Sequence, residues 1–209
     1  MEYEVKYHLP HLAGIRKKVL ARGGWLLSPR LLERNLRFDT PENSLAAQQA
    51  ILRLRQARRA TLTYKRTDGQ FEVRHEIEVE VNDLAAAASL LKSLGFVVTS
   101  RYEKYREVFA MDDVQVMLDE LPYGCFVEIE GPSLESLRRA SQALGFDWEE
   151  RIQMTYLDLF AHVKARLGLA AEHPTFKAFG VLPDGEKDLI EDALHSLAKR
   201  KEAAHEEGS

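Results

Sequence analysis

Charged and apolar residues alternate in short stretches along much of the chain. In the first stretch, Glu2, Glu4 and Lys6 alternate with Tyr3 and Val5. A period of two places alternate side chains on opposite faces of a β-strand, so this strand has one charged and one apolar face. The same pattern predicts strands over residues 2–6, 33–39, 50–56, 60–66, 71–81, 97–110, 114–118 and 126–130.

Apolar residues at helical spacing lie between or after some of these strands. They predict helices over residues 12–22, 84–94, 133–145 and about 152–167, the first three ending at glycines. Residues 25–32 fit a loop or an irregular strand, and Asp68-Gly69 marks a tight turn. Beyond Gly168 the pattern predicts only an amphipathic helix over residues 187–200 and a polar end. Runs of consecutive strands, each run followed by a helix, predict an α+β fold.

The charged faces are nearly balanced in sign. Their carboxylates are Glu2, Glu4, Glu76, Glu78, Asp119, Glu128 and Glu130. Their bases are Lys6, Arg53, Arg55, Lys65, Arg74, Lys104 and Arg106. For any one strand, an ordinary solvated face is the simpler interpretation. Repetition over several strands, with helices available to cover the apolar side, favours charged faces that point inward in a closed or nearly closed barrel. Charges survive there only when they are paired, hydrated or bound to a ligand.

The two kinds of charge predict what such a lining would bind. Clustered carboxylates suit a hard cation such as Mg²⁺ or Mn²⁺, which is bound through oxygen. Clustered arginines and lysines suit phosphate oxygens, which a guanidinium can hold with two hydrogen bonds. A lining with both predicts a site for one or two divalent ions together with a polyphosphate.

Composition narrows the class of protein. The 209 residues are 45% hydrophobic and 30% charged, which is enough for one domain with a core and a small appendage. We expect a domain over residues 1–168 and a helical extension with a tail over 169–209. The net charge of −4 argues against a nucleic-acid binder. The single cysteine, Cys125, argues against a disulfide framework, and the absence of a long apolar run argues against a membrane span. A strand beginning at residue 2 leaves no room for a signal peptide, so we expect a cytoplasmic location.

Eight segments, in order, resemble the CYTH superfamily, the triphosphate tunnel metalloenzymes. The first is Glu2-x-Glu4-x-Lys6, which is similar to the family's ExExK signature. The others are Phe38-Asp39-Thr40-Pro41, Leu52-Arg53-Leu54-Arg55, Leu62-Thr63-Tyr64-Lys65, Arg74-x-Glu76-x-Glu78, Lys104-x-Arg106, Leu118-Asp119-Glu120 and Phe126-Val127-Glu128-Ile129-Glu130. The resemblance covers roughly residues 2–160.

This resemblance implies an eight-stranded antiparallel β-barrel, a triphosphate tunnel, with helices packed outside and an appended C-terminal helix. It implies catalytic roles for Glu2, Glu4, Lys6, Glu128 and Glu130. It implies phosphate binding by Lys6, Arg53, Arg55, Lys65, Arg74, Lys104 and Arg106. It implies that Glu2, Glu4, Glu128 and Glu130 lie at the metal, with Asp119, Glu76 and Glu78 nearby. Some members have a tyrosine on strand two where this chain has Arg37, so that tyrosine's role is not carried over.

The expected activity is metal-dependent hydrolysis of a triphosphate, with inorganic tripolyphosphate the favoured substrate. Adenylyl cyclase and thiamine triphosphatase are the enzymatic alternatives, although no motif specifies a purine pocket. A nucleic-acid module is the non-enzymatic alternative, suggested by the basic run from Arg53 to Arg66, and an inactive polyphosphate-binding protein is another. We expect a small-molecule substrate, no nucleic-acid or membrane partner, and a monomer or a homodimer.

Overall fold

The computed structural model describes residues 2–67, 73–180 and 189–194, without the side chains of residues 2, 67, 73 and 74. The strands are β1 (Glu2–Leu9), β2 (Trp25–Asp39), β3 (Ala50–Gln56), β4 (Ala60–Thr67), β5 (Val73–Val81), β6 (Val97–Met111), β7 (Val114–Leu121) and β8 (Gly124–Gly131). The α-helices are α1 (Ala13–Ala21), α2 (Ser44–Ala47), α3 (Leu84–Ser93), α4 (Leu134–Leu144), α5 (Tyr156–Leu167) and α6 (Phe176–Phe179). A 3₁₀ helix spans Trp148–Glu150, and residues 189–194 are helical.

The eight strands form one antiparallel sheet in the order β1-β5-β4-β3-β2-β6-β7-β8, and β8 pairs back with β1. The β1–β8 ladder is long and runs from Tyr3 opposite Gly131 to Leu9 opposite Cys125. The ring closes between β1 and β5 through a short seam, Glu2 opposite Arg74 and Tyr3 opposite Val73. The prediction of an α+β fold with eight antiparallel strands is confirmed.

Strand β2 is longer than the sequence pattern predicted. It includes residues 25–32, and its pairing with β6 shifts register between Leu26 and Ser28 and between Ser28 and Leu31. Pro29 lies in this part of the strand, where it has no N–H to give to a ladder. The irregular pairing explains why the stretch lacks a clean two-residue period.

Helix caps follow the sequence signals. The Asp83 side chain accepts hydrogen bonds from the backbone N–H groups of Ala85 and Ala86, as expected for the residue before α3. Gly145 ends α4 with φ of 84°, a conformation that glycine adopts without strain. The predicted turn at Asp68-Gly69 lies outside the described residues, as does most of the predicted helix over 187–200.

Apolar residues of the sheet pack under helices in three clusters, of which the first two lie on its outer face. Helices α1 and α4 cover β1, β7 and β8, where Val5, Val116 and Ile129 are buried. Helix α3 packs Leu91 against Phe38 and Leu54. No helix within the described residues has the length and apolar character that a bilayer span requires.

The third cluster joins the chain after residue 168 to the sheet. Phe126 of β8 and Tyr123 before it pack with α5, with Leu169 and Phe179, and with Ile190, Ala193 and Leu194 of the helical segment 189–194. Leu194 and Ala193 are fully buried. The described part of the C-terminal extension therefore shares a core with the barrel.

Candidate active site

A cavity of about 980 Å³ lies inside the ring of strands, and the charged faces line it. The predicted site residues on its wall are Glu4, Lys6, Arg53, Arg55, Lys65, Glu76, Glu78, Lys104, Arg106, Glu128 and Glu130. Asp119 is fully buried and bonded to two of them. The side chains of Glu2 and Arg74 lie outside the described residues, although the two backbones pair across the β1–β5 seam.

Sheet register explains why distant sequence segments meet here. Glu4 lies opposite Glu130 and Lys6 opposite Glu128 in the β1–β8 ladder. Directly paired residues of antiparallel strands project from the same face. Once one residue of a strand is known to point into the barrel, the register therefore identifies the residue of the neighbouring strand that also points inward.

Asp119 is the centre of a buried ion cluster. It accepts hydrogen bonds from Lys104 Nζ at 3.0 Å, Arg106 Nε at 2.7 Å and the Tyr156 hydroxyl at 2.7 Å. Burial alone would raise the pKa of Asp119, but the charges of Arg106 and Lys104 outweigh it and the pKa is lowered. Asp119 therefore stays ionised and holds both cations in place.

Glu128 occupies the adjoining position and is also ionised. Its Oε1 lies 3.1 Å from Lys6 Nζ, and Arg106 bonds to its other oxygen. Burial acts to raise the pKa of Glu128, but Lys6, Arg106 and Lys104 hold it well below its ordinary value. Arg106 thus bridges two carboxylates, and their charges raise its own pKa although burial opposes them.

A second set of pairs lies on the opposite wall. Lys65 Nζ lies 2.7 Å from Glu76 and 3.7 Å from Glu4. Arg55 lies 3.1 Å from Glu78. These carboxylates and bases neutralise one another in the absence of a ligand, as the balance of charges in the sequence predicted.

The lining offers the oxygen ligands that Mg²⁺ and Mn²⁺ prefer. Within the described residues, no group of three acidic, histidine or cysteine side chains is arranged to hold an ion. Glu4 is near Lys65, and Glu128 is paired with Lys6 and Arg106. The chemistry of the donors fits a divalent ion, and these side chains would exchange cationic partners for it.

Several residues of the cavity region were not predicted from the sequence. Glu33 and Arg37 of β2, Tyr102 of β6 and Tyr156 of α5 line the cavity. Glu33 Oε1 lies 3.7 Å from Arg55, and its other oxygen lies 3.8 Å from Lys104. Burial lowers the pKa of Arg37, and the charge of Arg53 adds to that effect.

Helix α5 reaches this wall because the residues before it attach to β1. The Ile152 N–H donates to the Lys6 carbonyl oxygen at 2.7 Å, and Lys6 Nζ donates to the Met154 carbonyl oxygen at 3.2 Å. The Tyr156 ring then lies 4.2 Å from Lys6 Nζ. The helix therefore begins at Tyr156 and not near residue 152.

Cys125 is a half-buried strand residue of β8 with a free thiol. Burial raises its pKa to about 11, so the unreactive thiol predominates at neutral pH.

Comparison with known proteins identifies related sequences. The sequence model of the CYTH domain family matches residues 1–136. A protein of Methanocaldococcus jannaschii, provisionally named an adenylate cyclase, is 28% identical in an alignment 110 residues long that covers 47% of this chain. The chain spans 63% of that relative's length.

Solved structures share the fold. A Vibrio parahaemolyticus protein, also provisionally named an adenylate cyclase, superposes with a TM-score of 0.67 at 20% identity, over 77% of this chain and 97% of its own. A Hippeastrum protein, provisionally an adenylyl cyclase and described as having a dominant triphosphatase activity, superposes with a TM-score of 0.55 at 21% identity. That match covers 77% of this chain and 95% of the other.

Proposed function

This chain belongs to the CYTH domain family, and from that membership we propose that it hydrolyses a triphosphate with the help of Mg²⁺ or Mn²⁺. Inorganic tripolyphosphate is the favoured substrate. The observation that carries the proposal is a cavity lined by carboxylates and bases from seven of the eight strands, with Asp119 of β7 bonded to two of those bases. The Glu2 and Arg74 side chains are assigned to it from the sequence alone. A tunnel lined in this way suits a polyanion that arrives with its own cations.

The bases hold the substrate. Arg53, Arg55 and Arg106 offer forked guanidinium donors that match two phosphate oxygens at once, while Lys6, Lys65 and Lys104 act as point charges. Arg74 would join them, as its position opposite Glu2 suggests. Their combined charge would align the chain of phosphates and stabilise the charge that develops on the leaving group.

The carboxylates hold the metal. Glu4 and Glu130, opposite one another on β1 and β8, would bind it with Glu2 and Glu128. A bound divalent ion neutralises phosphate oxygens and makes a nearby water more acidic. Glu76 and Glu78 would release Lys65 and Arg55 to the substrate. Asp119, fully buried with both oxygens bonded, would act by fixing Lys104 and Arg106.

Cyclisation of ATP is the second candidate, favoured by the provisional name of the Methanocaldococcus relative. The same lining would hold the three phosphates while the ribose 3′-hydroxyl attacked the first of them. Pyrophosphate and cyclic AMP would then be the products.

Incubation with tripolyphosphate, ATP and thiamine triphosphate, each with Mg²⁺ and with Mn²⁺, tests the proposal. We expect release of phosphate from tripolyphosphate with the highest kcat/KM. Cyclic AMP from ATP would instead establish a cyclase, and a preference for the thiamine ester would establish a thiamine triphosphatase. No turnover of any of them would contradict the proposal.

Glu130→Gln tests the metal assignment. The substitution keeps the shape of the side chain but removes its charge, so kcat/KM should fall by about 100-fold or more. The surface variant Glu149→Gln, outside the barrel on the 3₁₀ helix, is the control and should keep wild-type activity. Full activity in Glu130→Gln, with unchanged metal dependence, would contradict the assignment.

A further inference from the structure

Strand β2 places a buried, unsatisfied amide at the inner wall of the barrel. Asn35 is 2% exposed, and neither its Oδ1 nor its Nδ2 has a hydrogen-bond partner within residues 2–67, 73–180 and 189–194. The residue lies between Glu33 and Arg37, which both line the cavity, so alternation along the strand places it on the same face.

Other unsatisfied atoms belong to its neighbours. In the described part of the chain, Arg53 Nε and Glu33 Oε2 are buried without a hydrogen bond. Asn35 lies opposite Arg55 on β3 and opposite Tyr102 on β6, and Arg37 lies opposite Arg53. The unsatisfied atoms therefore cluster where β2, β3 and β6 run side by side.

Such a cluster indicates a small polar ligand. Buried polar atoms in proteins nearly always have a hydrogen-bond partner, often an ordered water. An amide offers both a donor and an acceptor, and water can satisfy both, whereas a phosphate oxygen could accept from Asn35 Nδ2 but would leave Oδ1 without a donor. Water is thus the molecule that fits beside Asn35.

Two groups beside this position can exchange a proton, Tyr102 and Glu33, and the Glu33 carboxylate already faces Arg55 at 3.7 Å and Lys104 at 3.8 Å. The Tyr102 ring lines the cavity at 7% exposure, and its phenol interacts electrostatically with the Arg53 guanidinium. The charged groups facing it are Arg53 of β3, Arg37 of β2 and Lys104 of its own strand, and the Tyr123 phenol also interacts with it. Burial alone would raise the pKa of Tyr102, but the three cations outweigh it and the pKa is lowered.

We propose that Asn35 holds the attacking water in this part of the barrel and that the Tyr102 phenolate accepts its proton. The proposal rests on the proposed hydrolysis and assigns two residues to it that are separate from the carboxylates at the metal.

The step is balanced without a further reactant. The water oxygen forms a bond to the terminal phosphorus while one O–H proton passes to the Tyr102 oxygen. The bond from that phosphorus to the bridging oxygen breaks, and its electron pair leaves with the pyrophosphate. The Tyr102 phenol then returns its proton to solvent, and the positive charge of Arg53 stabilises the restored phenolate.

Tyr102→Phe removes the hydroxyl and keeps the ring. We expect kcat on tripolyphosphate to fall by about 100-fold or more, with KM nearly unchanged, since general-base catalysis contributes a factor of that order. The rise of kcat/KM with pH that the phenolate imposes should disappear. Tyr105→Phe, on the outer face of the same strand, is the matched control and should keep wild-type kinetics.

A titration of metal-free protein by phenolate absorbance gives a readout apart from activity. Wild type should show one tyrosine that ionises below the ordinary value, and Tyr102→Phe should lack it. Unchanged kcat in Tyr102→Phe, a lowered kcat with the wild-type pH profile, or identical titrations would each overturn the proposal and leave the hydrolase assignment standing. A wild type that hydrolyses no triphosphate would overturn both. If Tyr102→Phe does not fold, the wild-type protein alone tests the proposal. The pKa obtained from the pH dependence of its kcat/KM must then equal the pKa of the shifted tyrosine in the absorbance titration, and a difference between the two would overturn the proposal.

Discussion

A fully buried carboxylate such as Asp119 is stable only because both of its oxygens accept hydrogen bonds. Removing two charges from water costs several kcal/mol per ion, and good geometry with further hydrogen bonds must offset that cost. Lys104, Arg106 and Tyr156 provide those bonds. The cluster contributes little net stability by this reasoning, so its value lies in fixing two cations that face the cavity.

Arg55 illustrates a base that is ready to change partners. Its side chain is about one-fifth exposed, and its guanidinium nitrogens lie 3.1 Å from a Glu78 oxygen and 3.7 Å from a Glu33 oxygen. These two contacts leave part of the guanidinium open to the cavity. We predict that Arg55→Ala raises KM for tripolyphosphate by roughly 10- to 100-fold, the equivalent of one lost charged hydrogen bond. The effect on kcat should be smaller.

Steady-state kinetics checks this prediction, with Arg34→Ala as control. Arg34 is the neighbouring arginine on β2, paired with Glu103 at the surface, and its loss should not change KM. An unchanged KM in Arg55→Ala would remove Arg55 from the phosphate site.

The inner face of β2 shows what the types of single residues do not predict. The strand was predicted over residues 33–39, but Glu33, Asn35 and Arg37 were not assigned to the lining. Arg34 on the outer face is charged as well, so polarity alone did not distinguish the two faces. The register against β3 and β6 supplies the missing information, and register is a property of the sheet.

Whole elements were easier to predict than their ends. Strand β3 has the predicted bounds, Ala50–Gln56, because apolar and basic residues alternate without interruption and a hairpin follows. Helix α5 begins four residues later than predicted, because Ile152 and Met154 bond to Lys6 of a strand that is distant in sequence. No local pattern encodes that contact.

The start of α5 is fixed by a capping box. The Thr155 hydroxyl accepts from the Asp158 N–H, while the Asp158 side chain accepts from the Thr155 N–H. We predict that Thr155→Ala lowers the free energy of unfolding by about 1 kcal/mol, since it removes the cap. Thr155→Ser, which keeps the hydroxyl, should restore most of the loss in a denaturant titration, and equal stability of the two variants would contradict a capping role.

The charged interior makes the stability of the entire molecule depend on pH. The pKa values of Asp119 and Glu128 are below their ordinary values of 3.8 and 4.5, because Arg106, Lys104 and Lys6 outweigh the effect of burial. For carboxyl groups shifted down in the folded state, the unfolded chain binds more protons, so stability rises with pH. Their contribution is complete above about pH 5 and is lost as the pH falls below about 4.

Denaturant unfolding at several pH values measures this loss. Wild type should lose stability steeply below about pH 4, whereas the double variant Asp119→Asn, Glu128→Gln should start less stable and show a shallower slope. Parallel curves for the two proteins would mean that other groups control the acid transition.

The C-terminal segment tests whether residues 1–168 form a complete domain, as the change in composition predicts. Five apolar residues of this segment pack on Leu121, Tyr123 and Phe126 beside the turn between β7 and β8, and they are Leu169, Phe179, Ile190, Ala193 and Leu194. Leu194 has no exposed surface. Sequence patterns reveal that such a helix has an apolar side, but not which surface that side covers.

Since a buried large aliphatic or aromatic side chain contributes about 1.5–3 kcal/mol, ending the chain after Gly168 should cost several kcal/mol of stability. We therefore predict a markedly lower Tm and binding of a hydrophobic dye for the shortened chain, compared with one ending after residue 194. Equal Tm values would show instead that the barrel and α5 are sufficient, and that the extension covers a surface that is stable without it.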